Sequence, residues 1–228
     1  IYAVFCAAFF KKYQALVMIG LYITGIVLGI IIALILKNTA FRGKPVPFVM
    51  ELPNYRLPSA KSVGLLLWDK AKDFIQRAFT VIFFATIIIW FLETFDAKLN
   101  VVKDSSDSLL ALIGQAISPI FKPLGFADWR VTTSLISGFT AKEAVVSTMA
   151  VLMNTSTANL GTALSGAFST LSALSFLVFT LLYTPCVAAV ATIKRELDSR
   201  IQTVGVVIMQ CMVAWLCGCA VYQIGALL

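Results

Sequence analysis

The sequence contains no histidine, and only 13% of its 228 residues are charged. The absence of histidine removes the commonest zinc and nickel ligand, so a metal site here must use sulfur, carboxylate, hydroxyl, amide or backbone oxygen. Neither a phosphate-binding Gly-x-x-x-x-Gly-Lys-Ser/Thr loop nor a Gly-x-Ser-x-Gly nucleophile elbow occurs. These absences argue against nucleotide hydrolysis or nucleophilic catalysis by these residues.

Apolar residues dominate what is present. They make up 60% of the chain, and the mean hydropathy is +0.92. Several stretches approach the roughly 20 apolar residues that cross a bilayer. The sequence therefore predicts an all-α, polytopic helical membrane protein. The five cysteines are an odd number and lie mostly in apolar segments, so we expect no disulfide framework.

The predicted organisation has five apolar segments, at about 15–36, 78–95, 129–153, 171–193 and 203–228. The connector 37–77 carries an excess of lysine and arginine, which predicts a cytoplasmic location. Its proline-rich first part should be extended, and its second part should form an amphipathic helix at the membrane surface. A further short helix at 109–121 is predicted to be interfacial or re-entrant. We interpret the net charge of +7 as a topology signal and not as a nucleic-acid patch.

The predicted number of membrane crossings disagrees with the predicted sides of two basic segments. Lys194-Arg195 also indicates the cytoplasmic side, so an even number of crossings must separate this pair from the connector, yet three strong segments lie between them. Either the segment that carries Lys142-Glu143 is re-entrant, or the helix at 109–121 completes a crossing. Because Ile1 opens within an apolar stretch, we also expect the chain to be a fragment.

Tyr183-Thr184-Pro185-Cys186 interrupts the fourth apolar segment. A proline within a helix removes a backbone donor, which is tolerated in lipid only where protein or a cavity supplies replacements. Broken helices of this kind line substrate sites in transporters. Cys186 would start the resumed helix, where exposed N–H groups favour the thiolate that binds metal. Inert packing remains about an equal alternative for this cysteine.

Glu143 is the second candidate metal ligand, since a charge at the bilayer centre costs about 3 kcal/mol and needs a compensating partner. On a continuous helix, Glu143 would share a polar stripe with three hydroxyl residues, Ser137, Thr140 and Ser147. We list these hydroxyls, together with Thr184, as a possible ion path. The alternative is an ion pair or helix packing. Lys142 would repel a cation, so it is assigned to structure or gating.

Three motifs, in order, resemble a known family: FVMELPNYRLP at 48–58, GFTAKEAVVST at 138–148 and LYTPCVAA at 182–189. Together with the apolar run from Trp215, they are similar to the C-terminal membrane portion of bacterial ferrous iron transport protein B. The segments around Glu143 and Cys186 resemble the second of that family's two gate modules. The family's proposed metal-path positions then correspond to Cys186 and Glu143.

The resemblance implies Fe²⁺ uptake across a bacterial inner membrane by a multi-pass protein, with Fe²⁺ as transported substrate and no permanently bound cofactor. It implies a G-protein domain and a first gate before Ile1, so GTP binding and GTPase activity would belong to that missing half and not to these residues. It also allows small cytoplasmic Feo partners and a homo-oligomer. The alternatives are an assembly module of a membrane complex and a gate-type nucleoside carrier.

Overall fold

The computed structural model describes residues 1–39, 59–102, 104–157, 159–183 and 186–227. This part of the chain is helical and contains no strand, apart from an isolated bridge between Phe95 and Val101. Its α-helices are α1 Tyr2–Phe9, α2 Gln14–Asn38, α3 Ala60–Thr94, α4 Leu109–Ile117, α5 Trp129–Ser137, α6 Ala144–Leu152, α7 Leu160–Ala167, α8 Thr170–Leu182, α9 Val187–Leu197 and α10 Arg200–Leu227. Short 3₁₀ helices cover Ser105–Asp107 and Ser118–Leu124. The predicted all-α class is confirmed.

Three apolar stretches are long enough to cross a bilayer. They are Gln14–Asn38, Thr170–Leu197, which contains α8 and α9, and Arg200–Leu227. Each overlies one of the predicted apolar segments. A fourth span is possible if Leu109–Leu124 and Trp129–Ser137, which meet at an angle of 106°, count as one broken segment. The chain is thus built as a helical membrane protein with a broken helix pair.

α3 differs from the predicted division into a surface helix and a separate span. It is a single helix of 35 residues that passes through the predicted boundary at 77–78. Ser59 caps its start, where the Ser59 Oγ accepts a hydrogen bond from the Ser62 N–H at 3.2 Å. Beyond Gly64 this helix contains neither glycine nor proline, so nothing in its backbone chemistry ends it before Thr94. The proline-rich part of the connector, 40–58, lies outside the described residues.

The predicted apolar segment 129–153 is not one helix. It is divided into α5 and α6, nine residues each, by a break at residues 138–143. Each half is only about 13 Å long, well short of the bilayer core. α5 packs against both α4 and α6, so the two halves fold onto one another and not end to end. The continuous helix assumed for the polar stripe is therefore wrong.

α8 forms the centre of the packed interior, and its main neighbour is α10. Close approach is possible because Gly218 of α10 has no side chain, and the Ser175 Oγ donates to the Gly218 carbonyl at 2.9 Å. On another side of α8, Phe176 packs among the aromatic rings of Phe5, Phe126 and Phe168. α2, in contrast to α8, lies mostly outside this packed interior, since Leu21 is its one buried residue in the described structure. Such an apolar, largely uncovered helix suits a lipid surface.

Candidate functional site

The centre of the candidate site is the place where two interrupted helices meet. One interruption is the break 138–143 between α5 and α6, and the other is the boundary between α8 and α9. A backbone hydrogen bond joins them directly, because the Val187 N–H donates to the Phe139 carbonyl at 2.9 Å. Thr184 and Pro185 lie outside the described residues. The structure therefore brings the two segments singled out in the sequence into contact through their backbones.

Lys142 holds the two interruptions together. Its Nζ donates to the carbonyls of Thr180 at 3.1 Å and Tyr183 at 3.4 Å, and it lies 4.7 Å from the centre of the Tyr183 ring. The carbonyls at a helix C-terminus lack intrahelical donors and carry the negative end of the dipole. The half-buried ammonium thus satisfies the last turn of α8, which supports the structural assignment of this residue.

Cys186 occupies the N-cap position of α9. Its carbonyl accepts the first hydrogen bonds of that helix, from the N–H groups of Ala189 at 2.9 Å and Val190 at 3.1 Å. The thiol is half-buried and forms no disulfide. Anions are stabilised at a helix N-terminus, and thiolate is the metal-binding form of cysteine. The predicted helix start at Cys186 thus agrees with the structure.

Glu143 lies at the equivalent position of the other interruption, as the N-cap residue of α6. Its side chain is exposed and makes no capping hydrogen bond. Among the described residues, no group of three or more His, Cys, Asp or Glu side chains could hold a metal ion. Cys186 and Glu143 therefore stand near the break without further side chains of these types grouped around them in the described structure.

The hydroxyls assigned to one stripe separate because α5 ends at Ser137. The Thr140 Oγ1 is buried and donates to the Ser137 carbonyl at 2.7 Å. Ser147 is exposed and donates to the Ala144 carbonyl within α6. The buried Ser137 Oγ donates outward, to Glu93 Oε1 on α3 at 3.0 Å. The predicted shared face of these residues with Glu143 is wrong, since Gly138 and the turn that follows redirect the chain.

Glu93 is a polar residue of the site that the sequence reasoning missed. It is one position from the end of α3 and interrupts the apolar run that begins near Phe79. The rule that drew attention to Glu143, that an ionisable group in an apolar segment needs a partner, applies equally to Glu93.

Two cavities lined by residues of α5 differ in chemistry, and one of them borders the break. One, of about 550 Å³, is almost wholly apolar and is lined by residues that include Phe139, Tyr183, Cys211 and Trp215. The other, of about 270 Å³, is lined by Glu93 and by hydroxyls from three parts of the chain. Phe139, a residue of the break, thus lines the apolar cavity and not the polar one. Of the remaining cysteines, Cys211 borders the apolar cavity, and Cys217 and Cys219 are half-buried on α10.

The loop after α3 is held in place by Asp96. Its Oδ1 accepts from the N–H groups of Asn100 at 2.9 Å and Lys98 at 2.7 Å. These hydrogen bonds, the one from the Asn100 backbone foremost, lower the pKa of Asp96. A lowered pKa means that the charged form stabilises the folded loop, and that this contribution is lost as the pH falls through the pKa.

We therefore expect the Lys98 and Asn100 amides to be protected from hydrogen exchange at neutral pH and to lose that protection only at a pH below the ordinary aspartate pKa of about 3.9, where the lowered pKa of Asp96 lies. Asp96→Ala should remove the protection at every pH. Asp104→Ala is the control, since Asp104 makes no capping hydrogen bond. Equal protection in wild type and Asp96→Ala, after correction for intrinsic exchange rates, would contradict this account of the loop.

Comparison with known proteins supplies relatives for most of the chain. Residues 75–200 match the Gate family, described as nucleoside recognition. Residues 18–70 match the family described as the ferrous iron transport protein B C terminus. No solved structure matches. Both interruptions, with Cys186, Glu143 and Glu93, lie inside the first of these matches.

The similar proteins are all named as Fe(2+) transporters. A Staphylococcus aureus Fe(2+) transporter FeoB is 36% identical over 227 residues, which is 100% of this chain and 34% of that protein. A Methanocaldococcus jannaschii Fe(2+) transporter FeoB is 36% identical over 204 residues, covering 86% of this chain and 30% of the relative. A Porphyromonas gingivalis Fe(2+) transport protein A/Fe(2+) transporter FeoB fusion protein is 32% identical, over 100% of this chain and 32% of its own length. The chain thus spans about a third of the relatives it matches.

Proposed function

Because this chain belongs to the Gate family and is a C-terminal portion of a ferrous iron transport protein B, we propose that it forms a gate through which Fe²⁺ is taken up. The observation that carries the proposal is the meeting of the two interrupted helices, joined by the Val187 N–H and the Phe139 carbonyl. Irregular backbone at membrane depth is tolerated where it is buried in protein or lines a cavity. Discontinuous helices of this kind build the ion sites of transporters.

Cys186 is the proposed sulfur ligand on the ion path. It stands at the junction of the two interruptions, half-buried, at the N-terminus of α9. Fe²⁺ accepts both sulfur and oxygen ligands, so a thiolate with nearby oxygens is a reasonable transient site. Transport also requires that the ion be released, which a single cysteine permits and a closed cluster of ligands would hinder. Glu143 is proposed as an accessible carboxylate on the same path.

Cys186→Ser, made in the whole transporter that carries this chain, should reduce uptake of radiolabelled Fe²⁺ by about tenfold or more, as expected when a metal-binding contact is lost. Cys219→Ser is the matched control, because Cys219 is a half-buried cysteine of α10 away from the junction. Expression and thermal unfolding of both variants should be unchanged. Uptake by Cys186→Ser that equals wild type would remove this thiol from the mechanism.

Aqueous access distinguishes a gate from a purely structural module. If Cys186 lies on an ion path, a hydrophilic thiol reagent should label it, and Fe²⁺ supplied anaerobically should slow the labelling. In the alternative, an assembly module, the two interruptions only join this part of the protein to other segments, and Cys186 would be unreactive whether or not Fe²⁺ is present. Protection of Cys186 would reject that alternative.

The description of the Gate family favours a second candidate, a nucleoside carrier. Recognition of a base and a ribose needs several directed hydrogen-bonding groups in one pocket. The larger cavity at the break is almost wholly apolar, which gives a nucleoside few such groups. Uridine uptake that depends on Cys186, in cells in which Fe²⁺ uptake does not, would favour the carrier.

The proposal extends to the membrane, the regulatory domain and the partners of the whole transporter. We infer that the protein works in a bacterial inner membrane, that a G-protein domain elsewhere in the whole transporter regulates it through GTP, and that it forms a homo-oligomer. One relative joins an Fe(2+) transport protein A to the transporter, which supports a small Feo partner. No nucleotide-binding motif occurs in these residues, so the gate itself is proposed to act without catalysis.

A further inference from the structure

The ammonium group of Lys142 is surrounded by the groups that bind a monovalent ion. Its Nζ donates to the carbonyls of Thr180 at 3.1 Å and Tyr183 at 3.4 Å, and it lies 4.7 Å from the centre of the Tyr183 ring. Within the described ranges of the chain, no carboxylate forms an ion pair with it. The positive charge is thus balanced by carbonyl dipoles and by the face of an aromatic ring, both of which bind free cations in other proteins.

The two carbonyls stand at a position that attracts cations. Thr180 is in the last turn of α8, and Tyr183 is the C-cap residue of that helix. Carbonyls at a helix C-terminus lack the N–H donors of a continuing helix and carry the negative end of the dipole. In transporters with broken helices, the C-terminal ends of half-helices coordinate Na⁺. The end of α8 is therefore a place where such a fold can bind a monovalent cation.

The ammonium reaches this position from a distant part of the chain. Lys142 belongs to the break between α5 and α6, 38 and 41 positions before the residues that accept its hydrogen bonds. Thr180 is fully buried and Tyr183 is 7% exposed, while Lys142 is half-buried. A charge removed from water is stable only where other groups replace its hydration. The fold thus directs the one charged end of Lys142 into a set of cation ligands on another helix.

We propose that the Thr180 and Tyr183 carbonyls and the Tyr183 ring form a binding site for a monovalent cation, and that the Lys142 ammonium is the cation that fills it. The ligands are all neutral, which suits an alkali or ammonium ion. A hard divalent cation prefers carboxylates among its ligands. The site is therefore distinct in chemistry from the proposed Fe²⁺ ligands, Cys186 and Glu143.

A cation that is part of a side chain cannot diffuse away. The contact between the break and the end of α8 is consequently made without a free ion, and it is lost only when the segment that carries Lys142 moves. Fe²⁺ uptake by the wild-type transporter should then not depend on Na⁺ or K⁺ at this site. This consequence for uptake rests on the proposed function, but cation binding at the end of α8 does not.

Lys142→Ala tests the site by emptying it. Alanine removes the stem and the ammonium, which leaves room for a small cation with water. The whole transporter is unfolded by heat in detergent, without Fe²⁺ or nucleotide. We expect its melting temperature to rise by about 2 °C or more when KCl or NaCl replaces choline chloride at equal ionic strength, because an ion that binds only the folded state stabilises it. Choline is too large for the vacated space.

Lys142→Met is the matched control, since its unbranched side chain keeps the space filled without a charge. Neither Lys142→Met nor the wild type should respond to the alkali ions. The proposal is overturned if Lys142→Ala melts at the same temperature in all three salts, or if the wild type or Lys142→Met shows the same rise. Methylammonium, which has N–H donors, adds a further distinction. Stabilisation of Lys142→Ala by methylammonium but by neither alkali ion would indicate a pair of hydrogen-bond acceptors only and would overturn the proposal.

A second variant guards against a failure to fold. Lys142→Ser also leaves room for an ion, and serine is well suited to a turn, so it should show the same response to KCl and NaCl. If neither small variant folds even in these salts, the proposal is overturned, because a bound ion should replace the missing ammonium. An alkali response in Lys142→Ala together with normal Fe²⁺ uptake by Cys186→Ser would uphold the cation site and reject Cys186 in the ion path.

Discussion

Lys142→Met, made in the whole transporter that carries this chain, should reduce the proposed Fe²⁺ uptake and destabilise the protein. The substitution retains the aliphatic stem and removes the ammonium that donates to the Thr180 and Tyr183 carbonyls. Each buried acceptor that loses its donor costs about 1–3 kcal/mol, so we expect a total of about 2–6 kcal/mol for the two carbonyls. The same contacts hold the break against the end of α8, so their loss should also displace the proposed gate, and we expect uptake to fall by about tenfold, the factor that corresponds to about 1.4 kcal/mol in a barrier.

Thermal unfolding in detergent, followed by tryptophan fluorescence, measures the loss of stability. Uptake of radiolabelled Fe²⁺ by cells measures the loss of transport. Lys98→Met is the matched control, since Lys98 is an exposed loop residue. Lys142→Arg should restore part of the stability, because it supplies donors in a different geometry. A Lys142→Met protein with wild-type unfolding and uptake would show that this lysine does not hold the break to α8.

Gly138→Ala should disrupt the turn that separates α5 from α6. A Cβ at this position would overlap the Val145 Cγ2 and lie 2.9 Å from the Tyr183 Oη. Val145 is fully buried and β-branched, so its side chain has little freedom to move away. Overpacking of this kind costs about 1–3 kcal/mol, and here the strain falls on the residues that position Lys142.

A second substitution tests the cause of that effect. Val145→Ala removes the clashing methyl group, so the double variant Gly138→Ala/Val145→Ala should be more stable than the sum of the two single changes predicts. Gly205→Ala is the control, because Gly205 lies in α10 with nothing within 4 Å of an added Cβ, and alanine favours a helix. If the changes in unfolding free energy of the two single variants add up to that of the double variant, the proposed clash between the new Cβ and the Val145 side chain would be contradicted.

The class of the protein and much of its organisation could be predicted from composition and local pattern. The apolar run at Gln14–Asn38 and the one at Arg200–Leu227 are helices because length and hydropathy determine membrane spans without reference to neighbours. The start of α9 after Cys186 was predictable for a similar reason, since a proline constrains the backbone wherever it stands.

Prediction failed where a distant partner decides the outcome. Residues 129–153 are apolar enough to suggest one long helix, and the polar stripe was deduced from that helix. The chain instead turns at Gly138, where the Cβ-free backbone allows Val145 and Tyr183 to come close. Lys142 then reaches carbonyls about forty positions further along the chain, an interaction that no local pattern encodes.

The amino-acid sequence by itself determined a helical membrane protein of the Gate family, the position of the interruption near Cys186, and the presence of Lys142-Glu143 as charges in an apolar segment. Only the tertiary structure decided that the Lys142 ammonium donates to the carbonyls at the end of α8, that Ser137 donates to Glu93, and that Glu93 shares a polar cavity with hydroxyl residues of other helices. The reason is that helix formation depends on neighbouring residues, whereas the satisfaction of a buried polar group depends on whatever the fold brings within about 3 Å.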